Sequence, residues 1–212
     1  MSHRNTINRL AAALFVSAAA LTLAGCDSTT GASEPPKKAE FNFPERAAAV
    51  ERGRYLVTIG GCNDCHTPFK MGANGPEPDM SRMLSGHPES VVVTSAPRIE
   101  GGGPYVWAGV ATTTAFAGPW GVSFARNLTP DENTGIGVWD ETIFMNTIRN
   151  GRHWGVARPI LPPMPWFNYA KMTDEDLKAV FAYLRSIPPI HNRIPEPLPP
   201  AEMTEMPAAT GS

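Results

Sequence analysis

The chain has few cysteines, no long hydrophobic run and no excess of one charge. Three cysteines, Cys26, Cys62 and Cys65, stand among 212 residues. So small and odd a number excludes a disulfide-stapled scaffold, and there is no second cysteine pair for a four-ligand zinc site. Eighteen basic residues face 20 acidic ones, and removal of Arg4 and Arg9 with an N-terminal leader would take the formal charge from −2 to −4. Without a basic stripe, that balance argues against nucleic acid as a partner. The apolar run Leu10 to Leu23 is shorter than the ~20 residues a membrane span requires. No internal repeat is present.

What is there begins at the N-terminus. Arg4 and Arg9 precede that apolar run, which is broken by small residues and ends in Leu23-Ala24-Gly25-Cys26. A charged start, a short apolar middle and a small-residue exit describe a secretory signal over residues 1–25. The last four residues resemble the lipobox of bacterial lipoproteins, which implies a lipidated Cys26 as the first residue of the mature chain. Multiple acyl chains on one cysteine would meet the requirement for stable anchoring. Asp27 resembles the signal that keeps such proteins at the inner membrane. Residues 26–44 then read as a lipidated cysteine and flexible tether, polar and aperiodic, with a reach of roughly 20–25 Å.

A single domain is expected over residues 45–190, followed by a Pro-rich tail over 191–212 that lies across the surface and then frays. Residues 45–60 read as a first helix, with Val50, Gly53, Val57 and Gly60 near one face. Asp140 to Asn150 reads as a second, with Gly151 as its stop. The third is capped by Thr173, carries Asp174, Glu175 and Asp176 in its first turn, and shows the stripe Leu177, Val180, Phe181 and Leu184. Between the first two helices, residues 67–138 are rich in Gly and Pro. Within them Val91-Val92-Val93 suggests a short strand. The fold class expected is all-α.

The decisive motif is Cys62-Asn63-Asp64-Cys65-His66. C-x-x-C-H is the attachment pattern of haem c: two thiols three positions apart reach two vinyl groups of one porphyrin, and the adjacent histidine meets the iron. A thioredoxin-like C-x-x-C would need a βαβ context, which is missing. One motif means one covalently attached haem. For the second axial ligand, Met164 stands out in Leu161-Pro162-Pro163-Met164-Pro165-Trp166, where prolines exclude helix and stiffen an extended segment. Trp166 and Phe167 are expected to wall the pocket from water. The rival sulfur donors are Met172, Met71, Met80 and Met83, and the rival nitrogens are His87, His153 and His191. Arg126, Asn127, Trp120 and Trp139 are candidate propionate partners, with a core role for the tryptophans as the alternative.

The segments RGRYLVTIGGCNDCHTP, LSGHP, FARNLTPDENTGIGVW and PPMPWFNYAKMTDEDLKAVFAYLRSIPP cover most of residues 51–189. They resemble the class I cytochromes c, and more narrowly the haem domains of cytochrome subunits serving periplasmic alcohol, aldehyde and gluconate dehydrogenases. The resemblance implies a haem enclosed by helices, with the terminal helices crossing near Gly53 and Tyr183, and His66 and Met164 as axial ligands. Two departures stand out. This chain has one C-x-x-C-H where those subunits have several. The interval from Cys65 to Met164 is also long, so a loop insertion within residues 67–126 separates the haem motif from the second main helix. The function expected is electron transfer on the periplasmic side of a lipid-anchoring membrane, the inner one favoured. Its partners would be redox proteins: a dehydrogenase or quinol-oxidising complex as donor, an oxidase or another cytochrome as acceptor. The alternatives are a peroxidase-like enzyme and a redox or gas sensor.

Overall fold

Two helices far apart in sequence cross and set the frame. Helix α1 spans Phe43–Ile59 and buries Gly53, Leu56 and Val57. The C-terminal helix, Asp174–Leu184, buries Leu177, Ala179, Val180 and Leu184. Their backbones meet at Gly53, where an added Cβ would lie 1.9 Å from the Ala179 carbonyl oxygen and 2.8 Å from Tyr183 Cβ. Only a residue without a side chain permits that approach. Arg52 Nε donates to Asp176 Oδ1 at 2.9 Å across the same crossing. The expected crossing near Gly53 and Tyr183 is therefore present in this computed structural model, which describes residues 43–97 and 106–200. The leader, Cys26 and nearly all of the tether lie outside the described residues.

Between the two crossing helices come three more. Helix α2 is the short Cys62–His66, entered through Gly61 in the left-handed region (φ 66°). Helix α3 spans Glu141–Asn150, with the Asp140 carboxylate accepting from the Ile143 amide and Gly151 closing the other end at φ 61°. Helix α4 is the single turn Trp166–Tyr169, which makes the C-terminal helix α5. The Thr173 hydroxyl accepts from the Asp176 amide to cap it. Phe144 of α3 stacks on Phe181 of α5 at 5.2 Å, so the helices share one apolar core.

The all-α expectation is met only in part, because residues 67–126 also carry short strands. Strands β1 (Phe69–Gly72) and β2 (Gly75–Pro78) form an antiparallel hairpin. Strands β3 (Ala108–Gly109), β4 (Ala115–Gly118) and β5 (Gly121–Phe124) form a second antiparallel sheet, with the tight turn Pro119-Trp120 between β4 and β5. These strands have two to four residues each and are built largely from Ala, Gly, Phe and Ser, so no two-residue alternation announces them. Val91–Val93, the expected strand, is not one. Its β-branched residues find no strand partner among the described residues, and Val92 is 77% exposed. A second apolar core, Ala115, Ala117, Val122, Phe124 and Ile194, sits under the sheet.

The tail is woven into this second core. Leu198 pairs with Val122 through two 3.0 Å backbone hydrogen bonds, extending the β5 edge. Ile194 is buried, and the Asn192 side chain, 1% exposed, donates to the carbonyls of Ser85 (2.7 Å) and His87 (2.8 Å). Among the described residues, no helix is long and apolar enough to cross a membrane.

Candidate functional site

Gly60 and Gly61 end α1 and turn the chain so that α2 presents Cys62, Cys65 and His66 to a cavity of about 330 Å³. The Tyr169 hydroxyl donates to the Gly60 carbonyl at 2.6 Å, fixing this turn against α4. Both thiols are free, so no disulfide competes for them. Burial pushes the Cys62 thiol up to about 11, and burial with the Asp64 carboxylate raises Cys65 too. Each is therefore a neutral thiol at pH 7.

His66 is buried and its Nδ1 lies 2.7 Å from the Arg126 carbonyl oxygen. A carbonyl only accepts, so Nδ1 carries the proton and Nε2 keeps its lone pair for a metal. Burial pushes the imidazole below its ordinary value, an effect the Arg126 carbonyl partly offsets. The ring is neutral, oriented and made more basic by its acceptor, the arrangement that metal-binding histidines use.

Met164 lines the same cavity from the loop before α4. That loop turns at Pro162 and Pro163 rather than running extended. It is tied to the sheet: Ser123 Oγ of β5 donates to the Pro162 carbonyl at 2.6 Å. Phe116, Phe124, Ile136 and Leu161 give the cavity an apolar stretch of wall, and Arg126, Glu132, His153 and Arg158 also line it. The expected screen of Trp166 and Phe167 is corrected. One helical turn directs them elsewhere: Trp166 packs on Gly151, and Phe167 is 56% exposed. Tyr169 lines the cavity in their place.

The rival ligands are dispersed. Met71 and Met80 are exposed, Met83 packs against Tyr183, and Met172 packs on the helical core. Both ring nitrogens of His87 are engaged, Nδ1 with the Thr114 hydroxyl (2.9 Å) and Nε2 with the Val91 carbonyl (2.8 Å). His191 sits 3.5 Å from Asp131, largely exposed. Only His153 among the rivals reaches the cavity, where its imidazole is held down to about 4 by burial and by Arg158 and Arg126.

Those two arginines form the cavity's charged rim. Arg126 Nη1 is buried, makes no hydrogen bond, and lies 3.6 Å from Glu196 Oε1 of the tail. Arg158 Nε is 3.3 Å from Glu196 Oε2. A buried guanidinium nitrogen without a hydrogen-bonded partner suits an incoming carboxylate. Asn127 does not share this role, because its side chain is engaged with Thr129, Thr134 and the Ile190 carbonyl. Trp120 does not line the cavity, whereas Trp139 does and packs against Trp154 at 5.3 Å. Tyr169, Ser123 and Arg158 are site residues that sequence reasoning missed. Only their tertiary placement marks them, since no motif contains them with their partners.

A neutral imidazole, a thioether, two protonated thiols spaced C-x-x-C-H, a cavity with an apolar stretch of wall and a guanidinium nitrogen awaiting an acid match haem c with its propionates. Related proteins point the same way. The chain is 30% identical over 139 residues to the gluconate 2-dehydrogenase cytochrome c subunit of Pantoea cypripedii, covering 64% of this chain and 22% of that one. To the fructose dehydrogenase cytochrome subunit of Gluconobacter japonicus it is 27% identical over 164 residues (77% and 25%). To the cytochrome c subunit of the quinone-dependent alcohol dehydrogenase of Gluconacetobacter polyoxogenes it is 26% identical over 138 residues (65% and 21%). The chain thus spans no more than a quarter of the length of these curated relatives. The family profile for cytochrome c matches residues 50–188, and with the site built around His66 this chain belongs to the cytochrome c family.

Proposed function

We propose that the chain is a monohaem electron carrier in which Cys62 and Cys65 hold the porphyrin as thioethers and His66 and Met164 are the axial ligands. The observation that carries this reading is the convergence on one cavity of a tautomer-fixed His66 and a loop-braced Met164. When bound, haem supplies a one-electron couple, and Met/His ligation sets it toward higher potential. The chain's own residues do the rest. The Arg126 carbonyl orients the imidazole, Ser123 restrains the methionine loop, and Phe116, Phe124 and Ile136 exclude water. Arg126 and Arg158 would receive the propionates.

The donor in this proposal is a dehydrogenase or quinol-oxidising complex and the acceptor an oxidase or another cytochrome. The relatives' names as dehydrogenase cytochrome subunits support that choice. A lipidated Cys26 would hold the domain at the periplasmic face of the membrane, the inner membrane in bacteria with that sorting rule.

The test is an optical spectrum of the haem-loaded protein beside a Met164→His variant, repeated under carbon monoxide. A near-infrared sulfur-to-ferric-iron band that vanishes in the variant, with no carbon monoxide uptake by reduced wild type, is the expected result. Absence of the band with rapid uptake would overturn the ligation, and with it the carrier function in favour of catalysis or sensing.

A further inference from the structure

The segment Leu84-Ser85-Gly86-His87-Pro88 lies within residues 67–126, contributes nothing to the cavity wall and yet is almost wholly buried. Its backbone touches both halves of the His66 arrangement. The Gly86 amide donates to the carbonyl of His66 itself at 2.7 Å. The His87 amide donates to the Ala125 carbonyl at 3.0 Å, one residue before the carbonyl that accepts His66 Nδ1–H. Leu84 is held at both of its backbone groups: its amide donates to Thr67 Oγ1 at 2.9 Å, and its carbonyl accepts from the Leu128 amide at 2.9 Å.

Gly86 is the point of closest approach. Its φ is +80°, and a Cβ there would lie 2.5 Å from the Ala125 oxygen, 2.7 Å from the Arg126 carbonyl carbon and 2.8 Å from the Arg126 oxygen. The last of these is the atom that orients the imidazole. From the far side, Asn192 grips the Ser85 and His87 carbonyls, so the segment is pressed between the tail and residues 125–126.

We infer that Gly86 is a positioning residue for the axial histidine: it allows the LSGHP segment to clamp the His66 backbone and the Arg126 carbonyl in register, and so sets the strength of the His66 Nδ1–H hydrogen bond. The inference rests on the proposed role of His66 as an iron ligand. A stronger bond to that carbonyl makes the imidazole a more basic ligand, which favours the ferric state. Loosening the clamp therefore raises the reduction potential. A segment with only a structural role would change stability and leave the potential alone.

The test compares haem-loaded wild type, Gly86→Ala and Gly75→Ala. Gly75 has an equally left-handed backbone (φ +115°) in the same stretch, but nothing lies within 4 Å of its added Cβ. Expected for Gly86→Ala are a raised midpoint potential and at least tenfold faster exchange of the His66 Nδ1 proton in the reduced protein. Gly75→Ala should lose stability and match wild type in both readouts. A Gly86→Ala protein with wild-type potential and exchange overturns the clamp. Should Gly86→Ala fail to load haem, wild type alone decides. The Gly86 amide and the His66 Nδ1 proton must then show matched protection, and a Gly86 amide exchanging at open-loop rates overturns the inference. The wild-type sulfur band reports on the ligation itself, so failure of that reading is seen separately.

Discussion

Replacing Gly53 with alanine sets two opposed effects against each other, and the structure decides the sign. In an ordinary helix the substitution stabilises by ~1 kcal/mol, because glycine is the poorer helix former. Here the new methyl would sit 1.9 Å from the Ala179 oxygen, where ordinary contact begins near 3.4 Å, a deficit of about 1.5 Å. The obstacle is backbone, so no rotamer change relieves it, and α1 and α5 must separate. Separation loosens Leu56 and Val57 against Leu177, Val180 and Leu184, the centre of the helical core. Overpacking of a filled core costs roughly 1–3 kcal/mol, and more where a backbone must shift. Set against the ~1 kcal/mol helix gain, the expected net loss is about 2 kcal/mol. Chemical denaturation of the haem-loaded protein, followed by far-ultraviolet circular dichroism, measures it as a lowered midpoint with an unchanged slope. A midpoint equal to or above that of wild type would refute the tight crossing, since helix propensity would then have won unopposed.

Ser123→Ala removes the donor to the partly buried Pro162 carbonyl, at a cost of ~1 kcal/mol. The sulfur-to-iron band should accordingly melt at a lower temperature than the helical signal, whereas in wild type the two melt together. Tyr169→Phe removes the donor to the Gly60 carbonyl and should lower stability by ~1 kcal/mol with the visible spectrum unchanged. Asp131 accepts from the Thr134 hydroxyl and from the amides of Asn133 and Thr134, and these bonds, the hydroxyl first, hold its carboxyl below the ordinary 3.8. Its contribution to stability is thus complete above that value and disappears as pH falls through the depressed one. The gap in thermal midpoint between wild type and Asp131→Asn should narrow between about pH 5 and pH 2. A gap independent of pH would contradict this.

The helical frame was legible because its signals are local. Thr173, Asp140 and Gly151 each act within four residues of themselves: Thr173 and Gly151 take the cap and stop roles expected, and Asp140, expected at the helix start, caps it. The motif Cys62 to His66 is likewise self-contained. What could not be read are contacts that join segments 39 to 107 residues apart, such as Ser123 with Pro162 and Asn192 with Ser85. Neither partner has an unusual neighbourhood in sequence. The Trp166 and Phe167 expectation went astray for a geometric reason. A segment taken as extended closes into one helical turn at Trp166–Tyr169, and that turn exchanges an aromatic facing the site for one facing away. Val91–Val93 went astray for the reason that strand propensity is a property of a pair: with no neighbouring edge among the described residues, three valines remain a loop.

Residues 67–126 are accordingly part of the site rather than an appendage to it. Strand β5 supplies Phe124 to the cavity wall and Ser123 to the methionine loop. Its Val122 holds Leu198, and two residues earlier on the same tail Glu196 bridges Arg126 and Arg158 at the rim. The LSGHP segment presses on the carbonyl that orients His66. Both proposed axial ligands are thus restrained by residues outside the helical frame, through hydrogen bonds that are buried or partly buried, where polar contacts are strengthened and costly to break. A carrier that gains and loses one electron needs both ligands to keep their places in either oxidation state. Under the proposed ligation, that constancy rests on the sheet and tail as much as on the helices. The long interval between Cys65 and Met164 contains Gly86, Ser123 and Arg126, which make those contacts.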